Sequence, residues 1–230
     1  MARLPRYRIK NQPQIIMQRG IDQQDVFFHE DDYQNYLECL EVAARNYRLK
    51  IHAYVLMPGE VQLLASPGAE LGISRTLQSL GRNYAQYLND NYWRGGALWE
   101  GRYRATILDS KAYLLSCSRY IERNPVRSGL VKHPREYAWS SYAHNAMGRQ
   151  DSLISEHKIY QTLGATERER SKAYRSLFRK KMSLDEETLI YESTLKGWAL
   201  GDKRFVARIE KMGERRATPL PRGRPRLSGS

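Results

Sequence analysis

Two polar side chains interrupt an apolar run: in Tyr54-Val-Leu-Met-Pro-Gly-Glu-Val-Gln-Leu-Leu64, Glu60 and Gln62 follow a Pro58-Gly59 turn. Side chains alternate along a strand, so Glu60 and Gln62 point one way while Val61 and Leu63 point into the core. That is the spacing of a two-ligand metal clip. A second constellation has helical spacing: Tyr113, Cys117, Tyr120 and Asn124 are separated by four, three and four positions and share one helix face. Taken alone, Tyr120 reads as a core tyrosine of an amphipathic helix, the commonest situation for such a residue.

These side chains need a sheet and a helix to hold them, and the flanking pattern supplies both. Residues 14–18, 50–56 and 61–65 are short, apolar and partly β-branched, with Gly20 and Pro58-Gly59 beside them, and are expected as strands. Asp31 with Gln34 makes a capping-box-like start, after which Tyr33, Leu37, Leu40, Ala44 and Tyr47 recur as on an amphipathic helix. A second helix is predicted from about Ile73 to Tyr92, ended by Gly95-Gly96. A further strand runs through Ile107, and Asp109 then caps a third helix that Pro125 stops at Asn124. Antiparallel strands with helices inserted between them give an α+β fold of ferredoxin-like type. Residues 1–148 are expected to form it, residues 149–212 a basic helical extension, and residues 213–230, rich in Arg, Pro and Gly, a disordered tail.

At 230 residues the chain suits one main domain with appendages. A formal charge of +13 and a pI near 9.8 point to a polyanionic partner, of which nucleic acid is the commonest for a soluble basic protein. No apolar run reaches the length of a bilayer span and the N-terminus lacks a secretory apolar stretch, so a cytoplasmic, nucleoid-associated protein is expected. Cys39 and Cys117 lie far apart within apolar helical patterns and read as buried reduced thiols.

The segment Arg119-Tyr-Ile-Glu-Arg-Asn-Pro-Val-Arg-Ser-Gly-Leu-Val131 closely resembles the Arg-Tyr-Ile-x-x-Asn-Pro-Val-Arg-Ala-Gly-Leu-Val signature of the REP-associated tyrosine transposases, single-tyrosine members of the HUH family. Gln18-Arg-Gly20, Phe27-Phe-His-Glu-Asp-Asp-Tyr33, Leu80-Gly-Arg82, Leu98-Trp-Glu-Gly-Arg-Tyr-Arg104 and Trp139-Ser-Ser-Tyr142 agree with it independently, so the likeness covers about residues 4–145 and a C-terminal patch, Lys196-Gly-Trp-Ala-Leu-Gly201 with Arg215-Arg216. It implies an HUH-type domain acting on single-stranded or hairpin DNA. Tyr120 would then be the nucleophile that forms a 5′-phosphotyrosine, and a divalent cation would act as Lewis acid.

In that family the clip strand carries His-hydrophobic-His after a Met-Pro-Asn turn, and here Glu60 and Gln62 replace both histidines. With Asn124 they would offer a hard oxygen set suited to magnesium or manganese, one carboxylate binding it weakly. Two readings follow, a working nuclease and strand-joining enzyme or a silent DNA-binding homologue. His52, on the neighbouring strand, is the histidine placed to substitute as a ligand. The family's Arg-Gly-Asn-Asn-Arg is Arg19-Gly-Ile-Asp-Gln23 in this chain. Arg82, Arg102, Arg104, Arg119 and Arg127 are candidate DNA contacts. In the tail Arg222-Gly-Arg-Pro225 resembles an AT-hook, with Arg222, Arg224 and Arg226 entering a minor groove.

Overall fold

The computed structural model describes residues 5–92 and 95–219. Strands β1 (Gln14–Arg19), β2 (Leu49–Met57), β3 (Glu60–Pro67) and β4 (Arg104–Ile107) form an antiparallel sheet in the order β2-β3-β1-β4. Helices α1 (Glu30–Asn46) and α2 (Gly72–Tyr92) follow β1 and β3, and α3 (Ser110–Glu122) follows β4. Beyond them come α4 (Asn124–Arg127), α5 (Tyr142–Met147), α6 (Lys158–Gln161), α7 (Glu167–Ser176), α8 (Leu184–Lys196) and α9 (Lys203–Gly213). The expected α+β architecture is present, each strand lying within two residues of its sequence-based bounds.

Alternation along β1 shows how the sheet is covered. Ile16 packs with Leu63, Leu40, Leu80 and Tyr84 under α1 and α2, whereas Ile15 packs with Leu64, Leu114, Cys117 and Ile121 under α3. Both faces are therefore core, and Gln62, on the face opposite Val61 and Leu63, is itself buried. Met182, Ile190 and Leu200 join the cluster beneath α3, so residues past 148 complete the second face.

Local chemistry sets the boundaries. Helix α1 starts earlier than the sequence pattern suggests because the Asp32 carboxylate accepts the backbone N–H groups of Phe28 and His29 at 2.7 and 2.9 Å. Asp109 accepts the Lys111 N–H at 3.0 Å and caps α3 as expected. Pro125 does not end the helical path at Asn124; it sits in the first turn of α4, where its missing N–H costs nothing. Residues 215–217, expected within the basic tail, are packed against the domain. Ala217 is fully buried, its carbonyl accepts Ala199 N–H at 2.8 Å, and the Arg215 guanidinium lies 4.0 Å over the Tyr7 ring. The AT-hook-like residues Arg222, Arg224 and Arg226 lie outside the described residues.

Candidate active site

Met57 pairs with Glu60, leaving Pro58-Gly59 as the hairpin turn, and β1 runs alongside with Arg19 opposite Glu60 and Met17 opposite Gln62. Directly paired residues share a sheet face, so Arg19, Glu60 and Gln62 project together toward the α3 side. The loop after β1 is tied to the turn, Gly20 N–H donating to the Gly59 carbonyl at 2.9 Å and Val26 N–H to the Pro58 carbonyl at 2.7 Å. A Cβ at Gly20 would lie 2.1 Å from the Gln24 carbonyl oxygen, so this closure requires glycine.

Opposite the strands, Tyr120 on α3 and Asn124 and Arg127 on α4 form the second wall of a cleft of about 660 Å³. Glu187, Thr188 and Tyr191 of α8 line it as well. The residues singled out from the sequence are thus brought together: Asn124 Nδ2 donates to Glu60 Oε1 at 3.4 Å, and Tyr120 lines the same space. Arg127 donates to the Tyr120 carbonyl and to Asn124 Oδ1, each at 3.1 Å, while its guanidinium carbon lies 4.1 Å from the centre of the Tyr120 ring. Burial pushes the Tyr120 hydroxyl up to about 12, against the opposing pull of Arg127.

Sequence reasoning did not foresee what Glu60 does. Its Oε2 accepts Arg19 Nε at 2.5 Å and its Oε1 accepts Gln62 Nε2 at 2.5 Å. Arg19 reaches on to the Tyr191 hydroxyl at 3.2 Å. Burial works against the charge of Arg19, yet the hydrogen bonds to Glu60 and Tyr191 hold its pKa above the ordinary arginine range. Strand register was the signal that could have paired Arg19 with Glu60, whereas nothing local connects Tyr191 with them.

These donors do not fit a divalent cation. Both amides turn their nitrogens toward Glu60, and Asn124 Oδ1 is taken by Arg127 and by Ser128 Oγ at 3.1 and 3.3 Å. Gln62 Oε1 is buried without a partner, and it is Gln62 Nε2 that meets Glu60. The Glu60 carboxylate already holds a positive guanidinium. Among the described residues no group of three or more His, Cys, Asp or Glu side chains is placed to hold a metal.

Other expected residues are dispersed. His52 is held by Ser66 Oγ at 2.8 Å and the Ser155 carbonyl at 2.6 Å, away from the cleft, and burial lowers its pKa to about 4. Arg82 is exposed on α2, and Arg102 and Arg104 line a separate hollow with Arg6, Lys196 and Arg215. Arg119 donates to the Lys180 carbonyl at 2.7 Å and so faces the C-terminal helices. Cys117 is buried and Cys39 partly so, and both are free thiols.

Residues 15–124, from β1 through Tyr120 and Asn124, match the family model described as "Transposase IS200 like". Residues 15–124 carry an IS200-like transposase domain. The chain's fold is similar to that of a REP-associated tyrosine transposase bound to a REP hairpin, at 19% identity and a TM-score of 0.56, covering 68% of this chain and 93% of that one. A candidate transposase from Deinococcus radiodurans R1 is 19% identical, with a TM-score of 0.36, over 54% of this chain and 97% of its own. A bacterial tRNA(His) guanylyltransferase-like protein in complex with GTP is 13% identical, also with a TM-score of 0.36, over 58% of this chain and 72% of its own. No curated protein matches this chain. Among the described residues no helix is long and apolar enough to cross a membrane.

Proposed function

We propose that this protein binds single-stranded or hairpin-forming DNA, in keeping with nucleoid association, and nicks and rejoins it through Tyr120. The observation carrying this reading is that Tyr120, Asn124 and Arg127 face Arg19, Glu60 and Gln62 across one cleft. The Tyr120 oxygen attacks phosphorus, the bond from phosphorus to the 3′-oxygen breaks, and the tyrosine proton ends on the released 3′-hydroxyl. A 5′-phosphotyrosine remains until that hydroxyl, or another, attacks it in return. Guanidinium donors of Arg19 and Arg127 are suited to the non-bridging phosphate oxygens, because each presents a planar fork of N–H groups.

One observation favours the second reading, a DNA-binding homologue that does not cut: Glu60 and Gln62 stand at the clip positions, and among the described residues no group of three or more His, Cys, Asp or Glu side chains is placed to hold a metal. A single-stranded hairpin oligonucleotide separates the two. Wild type should bind it and form a covalent adduct stable to denaturant, and Tyr120→Phe should bind within about twofold and form none. Binding without an adduct in wild type would select the silent reading. Loss of binding by folded Tyr120→Phe would make Tyr120 a recognition residue.

A further inference from the structure

We infer that Glu60 is an internal counter-ion that fixes Arg19 over the cleft, so that the cleft takes a DNA phosphate on two guanidinium groups without a divalent cation. The inference rests on the proposed reading that DNA enters this cleft. It begins from the partition of hydrogen bonds. Arginine has five N–H groups, and Arg19 spends one on Glu60 and one on Tyr191. Arg127 spends one on the Tyr120 carbonyl and one on Asn124. Each guanidinium keeps N–H groups for a ligand, and both border the space that Tyr120 lines.

The Glu60 carboxylate is committed on both oxygens, to a strand neighbour at 2.5 Å, an amide two residues on at 2.5 Å, and Asn124 at 3.4 Å. A divalent ion within about 2.1–2.5 Å of those oxygens would have to displace or crowd the guanidinium. Glu60 and Glu187 match Arg19 and Arg127 in formal charge, so a phosphate here is held by the forked N–H donors rather than by net charge. In this arrangement Glu60 acts through Arg19 and is a positioning residue.

The experiment combines two measurements on the full chain. Manganese binding is read by electron paramagnetic resonance for wild type and Glu60→Gln, and hairpin affinity by fluorescence anisotropy at constant ionic strength in EDTA or manganese. Wild type should leave manganese free at millimolar concentration and bind the hairpin equally in both media. Arg19→Gln and Arg127→Gln should each weaken hairpin binding about tenfold or more, as losing a charged hydrogen bond does. Sub-millimolar manganese binding by wild type that Glu60→Gln abolishes would overturn the counter-ion role while leaving the DNA cleft in place. Unchanged hairpin affinity in both arginine variants, with circular dichroism showing them folded, would overturn the DNA cleft itself and this inference with it. Arg19→Lys adds a control: it keeps the charge but not the fork, and affinity equal to wild type would show that charge alone suffices, against the forked contact.

Discussion

Two carboxylates near one helix have opposite surroundings. Glu60, at the mouth of the cleft, is bound by a guanidinium and its side chain keeps 16% of its surface exposed. Glu122, two residues past Tyr120, is fully buried and meets only neutral donors: Ser141 Oγ at 2.6 Å, Asn145 Nδ2 at 2.8 Å and the Tyr174 hydroxyl at 2.8 Å. Burial raises its pKa to about 7, against those three hydrogen bonds. The first arrangement leaves N–H groups of Arg19 facing open space, which suits a ligand. The second closes every donor on itself and ties α3 to α5 and α7, which suits support. Helix α3 therefore has a working side and a fixed side, and the fixed side holds the register of Tyr120.

The largest effect separating the two regions should come from deleting each carboxylate. Glu122→Ala leaves the Tyr174 hydroxyl without its acceptor and Ser141 and Asn145 with only the Tyr54 and His52 carbonyls in a buried space, and should cost about 3–5 kcal/mol. Glu60→Ala strips a partner from Arg19, which keeps 31% of its side-chain surface exposed and can rehydrate, and should cost less, about 1–3 kcal/mol. Urea unfolding of the two variants measures the difference, and equal losses would erase the distinction between support and working site.

A second, slightly smaller effect follows from the protonation of Glu122. Its folded-state pKa of about 7 lies above the ordinary 4.5, so its contribution is fully present below the unfolded value and is lost as pH rises through the folded one. Between those limits the loss approaches about 3 kcal/mol at roughly 1.4 kcal/mol per unit. Glu122→Gln, which cannot ionise, should therefore gain on wild type as pH is raised from 5 to 8. A difference in unfolding free energy that stays constant with pH would mean Glu122 ionises alike in both states.

The smallest effect on stability belongs to the tail. Removing residues 220–230 deletes Arg222, Arg224 and Arg226 and leaves Arg215 and Ala217 in their packed positions. Unfolding should not change, while the salt dependence of hairpin affinity should flatten by roughly 0.7–0.9 per lost phosphate contact. An unchanged slope would mean that the tail makes no phosphate contact. Equal losses on AT-rich and GC-rich duplexes would replace the AT-hook reading with a generic basic tail.

What was legible in the sequence follows the range of the forces involved. Strand alternation and the Pro58-Gly59 turn are local, and they put Glu60 and Gln62 on one strand face, where the structure has them. Helical spacing likewise put Tyr120 and Asn124 on one side of α3 and α4. The partners of these residues were hidden because they come from distant positions. Arg19 meets Glu60 through strand order, and Tyr191 reaches Arg19 from 172 residues along the chain. Glu122 was missed because a glutamate on a helix ordinarily faces water, and only the packing of α5 and α7 makes it internal.

The most direct test of Tyr120 as the working residue is a tryptic mass map of protein incubated with a single-stranded hairpin oligonucleotide in EDTA. Trypsin cuts after Arg119 and Arg123, so the nucleophile lies in its own peptide, residues 120–123. The account predicts that this peptide alone carries the mass of the oligonucleotide's 3′-side fragment, joined through its 5′-phosphate, and that Tyr120→Phe abolishes it. Attachment to any other tyrosine, or an adduct that appears only when manganese is supplied, would contradict it.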